Sequence, residues 1–153
     1  MAISVVVAVG DIAEPLVERL GAKAREIKVG AGLDPTSEMG PVVTPEARDR
    51  IRGYIDRGVE AGATAVVDGR ELEVEGDGFF VGPTLFDNVS TDMDIYRDEI
   101  FGPVLSVVRV DTMAEAIDLV NRNNYANGTA VFTGSGQAAR IFQRDIQVGM
   151  VGV

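Results

Sequence analysis

The sequence predicts an α/β fold, a parallel sheet with crossover helices, and three observations carry that reading. Short apolar, β-branched runs recur near residues 3–9, 64–67, 84–89, 104–110, 129–133 and 148–153. Segments with apolar side chains at helical spacing separate most of them, and capping residues, glycine or proline mark the changeovers. Strands separated by helical segments favour parallel pairing, because parallel neighbours need long crossovers. At 153 residues the chain is expected to form one domain able to bury a sizeable core.

Taken in order, Met1 to Val9 reads as an interior strand, followed by an Asp11-x-x-Glu14 capping pattern. A helix then places Ile12, Leu16, Leu20, Ala24 and Ile27 at helical spacing. Residues 30–41 are too rich in glycine and proline to be regular and form a long ordered loop or linker. Thr44 as N-cap and Pro45 at the first helical position open a second helix, with Ile51, Tyr54, Ile55 and Val59 on one face and Gly62 placed to end it. Strands near 64–67 and 84–89 follow, separated by the charged stretch from Asp68 to Gly78. Strand 104–110 leads to Thr112-x-x-Glu115, a capping box, and a helix that turns Met113, Ala116, Ile117 and Val120 inward. Strand 129–133 meets Gly134-Ser135-Gly136, a helix with Ala138, Ile141 and Phe142 follows, and Val148 to Val153 is apolar to the last residue. Both ends have the character of buried strands, so the chain is expected to be cut at both ends, with apolar surface left open.

Composition excludes several classes of function. Twenty-four acids against fourteen bases give a net charge of -10, which repels nucleic acid and anionic membranes. Apolar residues make up 46% of the chain and the mean hydropathy is +0.13, with no run of membrane-spanning length. A cytoplasmic protein is expected. The chain has no cysteine and no histidine, which removes thiol nucleophiles, imidazole bases, disulfides and most zinc sites together.

The stretch Asp98-Glu99-Ile100-Phe101-Gly102-Pro103 stands out. Glu99 and Phe101 lie two apart, so in an extended segment both side chains project to one face, while Pro103 fixes φ and Gly102 lets the backbone approach closely. A carboxylate beside an aromatic ring suits a ribose diol and a flat nicotinamide ring. Other candidates have plainer readings. Gly134-Ser135-Gly136 is an ordinary turn with Ser135 as N-cap, and Asp92, Asp94, Asp98 and Glu99 form a solvated acidic turn without the spacing of a calcium loop. Lys23 and Lys28 lie on a charged helix face. Tyr54, Tyr96 and Tyr125 lack a basic neighbour that would mark them as acid or base. No catalytic residue and no metal ligand is expected within the chain.

Glu99-Ile100-Phe101-Gly102-Pro103 resembles the signature of the NAD(P)-dependent aldehyde dehydrogenase superfamily. The resemblance extends over nearly the whole chain: Gly30 to Pro41, Gly78-Phe79-Phe80-Val81-Gly82-Pro83-Thr84, and Asn121 through Tyr125 to Ala130-Val131-Phe132-Thr133 all match family elements. Within the superfamily, Met1-Ala2-Ile3-Ser4, Phe80 to Thr84 and Asn127-Gly128-Thr129-Ala130 most resemble the CoA-acylating branch that acts on methylmalonate semialdehyde in valine and inositol breakdown. The resemblance implies NAD as cofactor, CoA as co-substrate, a small aldehyde as substrate and a homo-oligomer. It implies that Glu99 binds the nicotinamide ribose hydroxyls and that Phe101 contacts the nicotinamide. It also places Met1 just beyond the catalytic cysteine. Residues 1–153 then form a partial catalytic domain lacking its nucleophile, with the dinucleotide-binding domain and C-terminal tail absent, and the chain alone is expected to be inactive. Two other readings remain: part of a water-using aldehyde dehydrogenase with another substrate, or a short non-catalytic module that keeps the fold for assembly.

Overall fold

The β-branched runs and amphipathic segments settle into two compact units, Met1–Arg109 and Val110–Val153, where length alone suggested one domain. The computed structural model describes residues 3–74 and 77–153, so Met1 and Ala2 of the expected first strand lie outside the described residues.

In the first unit, β1 (Val5–Val9), β2 (Thr64–Val67), β3 (Thr84–Asp87) and β4 (Val104–Val110) form a four-stranded sheet in the order β1-β4-β3-β2. The strands β3 and β4 are parallel, with Thr84 opposite Val104 and Phe86 opposite Ser106. By contrast, β2 runs antiparallel to β3, and its register shifts between Ala65 and Val67. Among the described residues, the link from β2 to β3 contains a 3₁₀ turn at Gly69–Glu71 and not the helix that a parallel crossover would require. Within this sheet β1 stands at an edge rather than in the interior, and of its residues only Ala8 is buried. The run is apolar throughout because one face packs with Ala13, Val17, Leu85 and Val107 around Ala8.

Helix α1 (Ala13–Glu26) begins differently from the capping pattern. Gly10, at φ +61, turns the chain into a 3₁₀ segment over Gly10–Ile12, so Asp11 lies inside that turn and makes no cap. Glu14 instead accepts from Arg109 at 3.0 Å, and the same guanidinium donates to the buried Asp87 at 3.0 Å. The buried stripe is Ala13, Val17 and Gly21, flanked by Leu16 and Leu20, while Ile12 and Ile27 are exposed.

Helix α2 (Pro45–Glu60) follows the sequence expectation at both ends. The Thr44 hydroxyl accepts from the Ala47 amide at 3.1 Å, with Pro45 behind it. At the other end Gly62 takes φ +95; its N–H donates to the Val59 carbonyl and that of Ala63 to the Gly58 carbonyl, both at 3.0 Å. This is the six-to-one, five-to-two closure that a glycine permits beyond a helix. Ile51 and Ile55 are fully buried and Val59 is exposed, so the inward face is narrower than the periodicity suggests. Gly58 lets the helix approach β3, since a Cβ there would stand 3.0 Å from the Phe86 ring. Burying side chains of this size contributes about 1.5–3 kcal/mol each.

Asp68 ends β2 and accepts from the Arg70 amide at 3.0 Å while pairing with the Arg70 guanidinium, which also reaches Asp56. Those bonds to Arg70 hold the Asp68 carboxyl below the usual carboxylate range. A depressed folded-state value stabilises the fold above the unfolded value and loses that contribution as pH falls through the folded one. The Gly69–Glu71 turn should therefore hold at neutral pH and loosen in acid, below roughly pH 4. An NMR titration checks this: the Asp68 midpoint should lie below that of an ordinary aspartate and rise toward it in Arg70→Ala, and a midpoint unmoved by that substitution would refute the pairing.

In the second unit, α4 (Met113–Asn121) opens on the expected capping box: the Thr112 hydroxyl accepts from the Glu115 amide at 3.2 Å, and the Glu115 carboxylate accepts from the Thr112 amide. Then β5 (Gly128–Ala130), α5 (Gly136–Asp145) and β6 (Met150–Gly152) form a strand-helix-strand unit with β5 parallel to β6. Ile117, Phe142 and Ile146 make its core, with Met113, Val131, Ile141 and Val148 against them. Both strands are shorter than their apolar runs, because each pairs only over three residues; Phe132 and Val153 are left exposed. The Asn121 side chain donates to the Asp145 carbonyl at 2.9 Å and accepts from the Gln147 amide at 2.8 Å, tying α4 to the turn before β6. Among the described residues, no helix is long and apolar enough to cross a membrane.

Candidate functional site

Glu99 and Phe101 are positioned by what surrounds Ile100. A single-turn helix α3 (Asp94–Arg97), too short to show periodicity, precedes them and buries Ile95, whose carbonyl accepts from the Ser106 hydroxyl at 3.3 Å. The chain leaves α3 extended at Asp98 and buries Ile100. Both flanking side chains, Glu99 and Phe101, are thereby exposed, and the Phe101 ring is 79% exposed. The extended geometry expected for this pair is not what forms. Phe101 takes φ +55, in the left-handed region that costs a bulky residue about 1–3 kcal/mol. The close approach expected at Gly102 is present: a Cβ there would lie 2.6 Å from the Ile51 side chain of α2. Pro103 then hands the chain to β4, its carbonyl accepting from the Thr84 amide at 2.8 Å as β3 begins.

The acidic group divides into committed and uncommitted carboxylates. Asp92 accepts from the Ser90 hydroxyl, Asp94 from Arg57 at 3.2 Å and Asp98 from the Tyr54 hydroxyl at 3.0 Å. Glu99 makes no hydrogen bond or ion pair among the described residues, nor do three or more acidic residues gather there as a metal site. Tyr54 does have a basic neighbour, contrary to expectation: the Arg57 guanidinium lies 4.2 Å over its ring. Donation to Asp98 pushes the Tyr54 hydroxyl above its ordinary value, so it serves as a donor, not a base. Arg50 donates to the Ile100 carbonyl between the two exposed side chains.

An exposed, uncommitted carboxylate can accept hydrogen bonds from two vicinal hydroxyls, and a bare ring beside it offers a flat apolar surface. Both properties fit the nicotinamide-ribose half of a dinucleotide. Lys28 does not lie on a helix face as expected, because α1 ends at Glu26 and the Lys28 amide donates to the Glu38 carboxylate at 3.0 Å; three other candidates follow the plainer readings. The Ser135 hydroxyl caps α5 by accepting from the Ala138 amide at 3.3 Å; Lys23 pairs with Glu26 at 3.0 Å on the surface; Tyr125 is exposed. Sequence reasoning missed Arg50, Tyr54 and Arg57 as neighbours of the corner. Their spacing of four and three residues along α2, a shared helix face, was the available signal.

The aldehyde dehydrogenase family model matches residues 1–153. A malonate-semialdehyde dehydrogenase from Geobacillus thermodenitrificans is 52% identical over 154 residues, covering 100% of this chain and 32% of that protein. The crystal structure of a methylmalonate-semialdehyde dehydrogenase from Oceanimonas doudoroffii superposes with a TM-score of 0.94 at 49% identity, covering 97% of this chain and 31% of that one. An NAD complex from Sinorhizobium meliloti, provisionally given the same name, reaches a TM-score of 0.96 at 50% identity over 99% of this chain and 32% of its own. The chain thus spans about a third of the length of the relatives it matches.

Proposed function

Since the chain belongs to the aldehyde dehydrogenase family, we propose that it is part of an NAD-dependent, CoA-acylating oxidoreductase converting methylmalonate or malonate semialdehyde to an acyl-CoA thioester. Glu99 and Phe101 hold the nicotinamide half of NAD in this reading. The uncommitted Glu99 carboxylate beside the bare Phe101 ring carries the cofactor assignment. The half-identical relatives named for these semialdehydes support the substrate, and the NAD complex among them supports the cofactor. CoA as acyl acceptor, a role in valine and inositol breakdown, a cytoplasmic location and a homo-oligomeric state follow the branch that the sequence resembles.

NAD, when bound, supplies the hydride acceptor. Glu99 accepts hydrogen bonds from the ribose hydroxyls and so fixes the sugar; Phe101 limits where the attached ring can lie; buried Ile100 keeps the two from rotating apart. The chain has no cysteine, so the thiol that this chemistry needs comes from outside these 153 residues. The other dinucleotide contacts and the groups that hold the substrate carboxylate would likewise come from the two thirds of its relatives' length that this chain does not span.

The test is Glu99→Gln in the intact enzyme, which keeps size and removes charge. A charge-assisted hydrogen bond contributes roughly 1.5–3 kcal/mol, so NAD affinity and the presteady-state NADH burst should fall about tenfold to a hundredfold. Thioester transfer to CoA should change less, because it does not need the ring held in place. An unchanged burst and unchanged NAD affinity would leave Glu99 a surface carboxylate. Turnover indifferent to CoA would point instead to the water-using reading.

A further inference from the structure

We propose that Arg50 is a positioning residue for the Glu99–Phe101 corner, holding the Ile100 carbonyl so that the left-handed turn at Phe101 persists, with Tyr54 as a second strut. The inference rests on the assignment of Glu99 and Phe101 to the cofactor and adds what holds them in place. A bulky residue stays at positive φ only where its surroundings over-determine it, and here they belong to one helix. Arg50 Nη1 donates to the Ile100 carbonyl, Ile51 packs where a Gly102 Cβ would stand, and the Tyr54 hydroxyl donates to Asp98 at 3.0 Å. The corner is thus gripped before, between and after its two exposed side chains.

Arg50 differs from two other arginines of the same helix. Arg57 pairs with Asp94, and Arg48 with Asp49. Arg50 has no carboxylate partner among the described residues, and the Ile100 carbonyl is its one hydrogen-bond acceptor there. A charged donor spent on a backbone carbonyl between Glu99 and Phe101 fixes the direction of both Cα–Cβ bonds. Lysine at this position would keep the charge but lose the planar fork, so Arg50→Lys should restore part of the effect of Arg50→Ala.

The first test uses NMR on the 153-residue chain. Arg50→Ala should shift the φ-sensitive three-bond coupling of Phe101 and reduce amide protection at Val104, whose N–H donates to the Gly102 carbonyl at 2.8 Å, by roughly tenfold. Protection at Leu85 and Val107 in the core should stay as in the wild type, and Arg50→Lys should recover part of the loss. The second uses the intact enzyme: Arg50→Ala should slow the NADH burst about tenfold while KM for the aldehyde is unchanged. An unmoved Phe101 coupling and unchanged Val104 protection in a folded Arg50→Ala chain would overturn the inference. Should that variant unfold, Arg50→Gln decides on the same two readouts. A burst that falls in Glu99→Gln but not in Arg50→Ala would overturn this inference alone. A corner that loosens while neither variant alters the burst would overturn the cofactor reading, and with it the positioning role.

Discussion

The purified 153-residue chain, supplied with methylmalonate semialdehyde, NAD and CoA, is expected to form no NADH above a blank. A thioester needs a thiolate, and the sequence contains neither a cysteine nor a histidine to act in its place. Three of the remaining hydroxyl and amine groups are engaged elsewhere: Ser135 is spent on a helix cap, Tyr54 donates to Asp98, and Lys23 is paired on the surface. Removing the nucleophile of a hydrolase costs on the order of 10⁶ in kcat. Activity that follows the protein through successive purification steps would refute the expectation and require a nucleophile other than a thiol.

The second large effect is structural. Gly69→Ala should destabilise the fold by about 3 kcal/mol or more, beyond the usual cost of one added methyl group. The new Cβ would lie 1.9 Å from the Gly82 carbonyl oxygen and 2.7 Å from Thr84 Oγ1. Neither can retreat, because Gly82 N–H donates to the Gly69 carbonyl at 2.9 Å and Gly69 N–H to Thr84 Oγ1 at 3.0 Å. Both bonds close the loop that returns β2 to β3, so the substitution must break at least one. Urea denaturation should show a lower midpoint at unchanged slope. Gly32→Ala, whose Cβ meets nothing within 4 Å, is the control and should leave the midpoint nearly where it was.

Where structure depends on chemistry within a few residues, the sequence disclosed it. Thr44 with Pro45, Gly62, Thr112 with Glu115, and Ser135 all cap the helices expected of them. The failures have a common cause in longer-range geometry or backbone sign. Asp11 and Glu14 have capping spacing, but Gly10 takes positive φ and moves Asp11 into a 3₁₀ turn. The strand pattern at 64–67 is the same whichever way the strand runs; its antiparallel sense shows only in the pairing with β3, whose connection is closed by the Gly82 N–H to Gly69 carbonyl bond. The candidate site divides the same way. Glu99 and Phe101 were legible as a pair, although the turn that exposes them is left-handed, not extended. Arg50 and Tyr54 lie 50 and 44 residues from their partners Ile100 and Asp98, and only the folded α2 brings them there.

The left-handed backbone at Phe101 sets two selective pressures against each other. Glycine would occupy that φ without steric penalty, and the ring it would replace buries little surface. Screening variants of this segment for thermal resistance alone should therefore enrich Phe101→Gly, whereas screening for turnover in the intact enzyme should purge it. Phenylalanine at this position holds a backbone conformation that glycine would adopt at lower cost, and the two screens separate that cost from any use made of the ring.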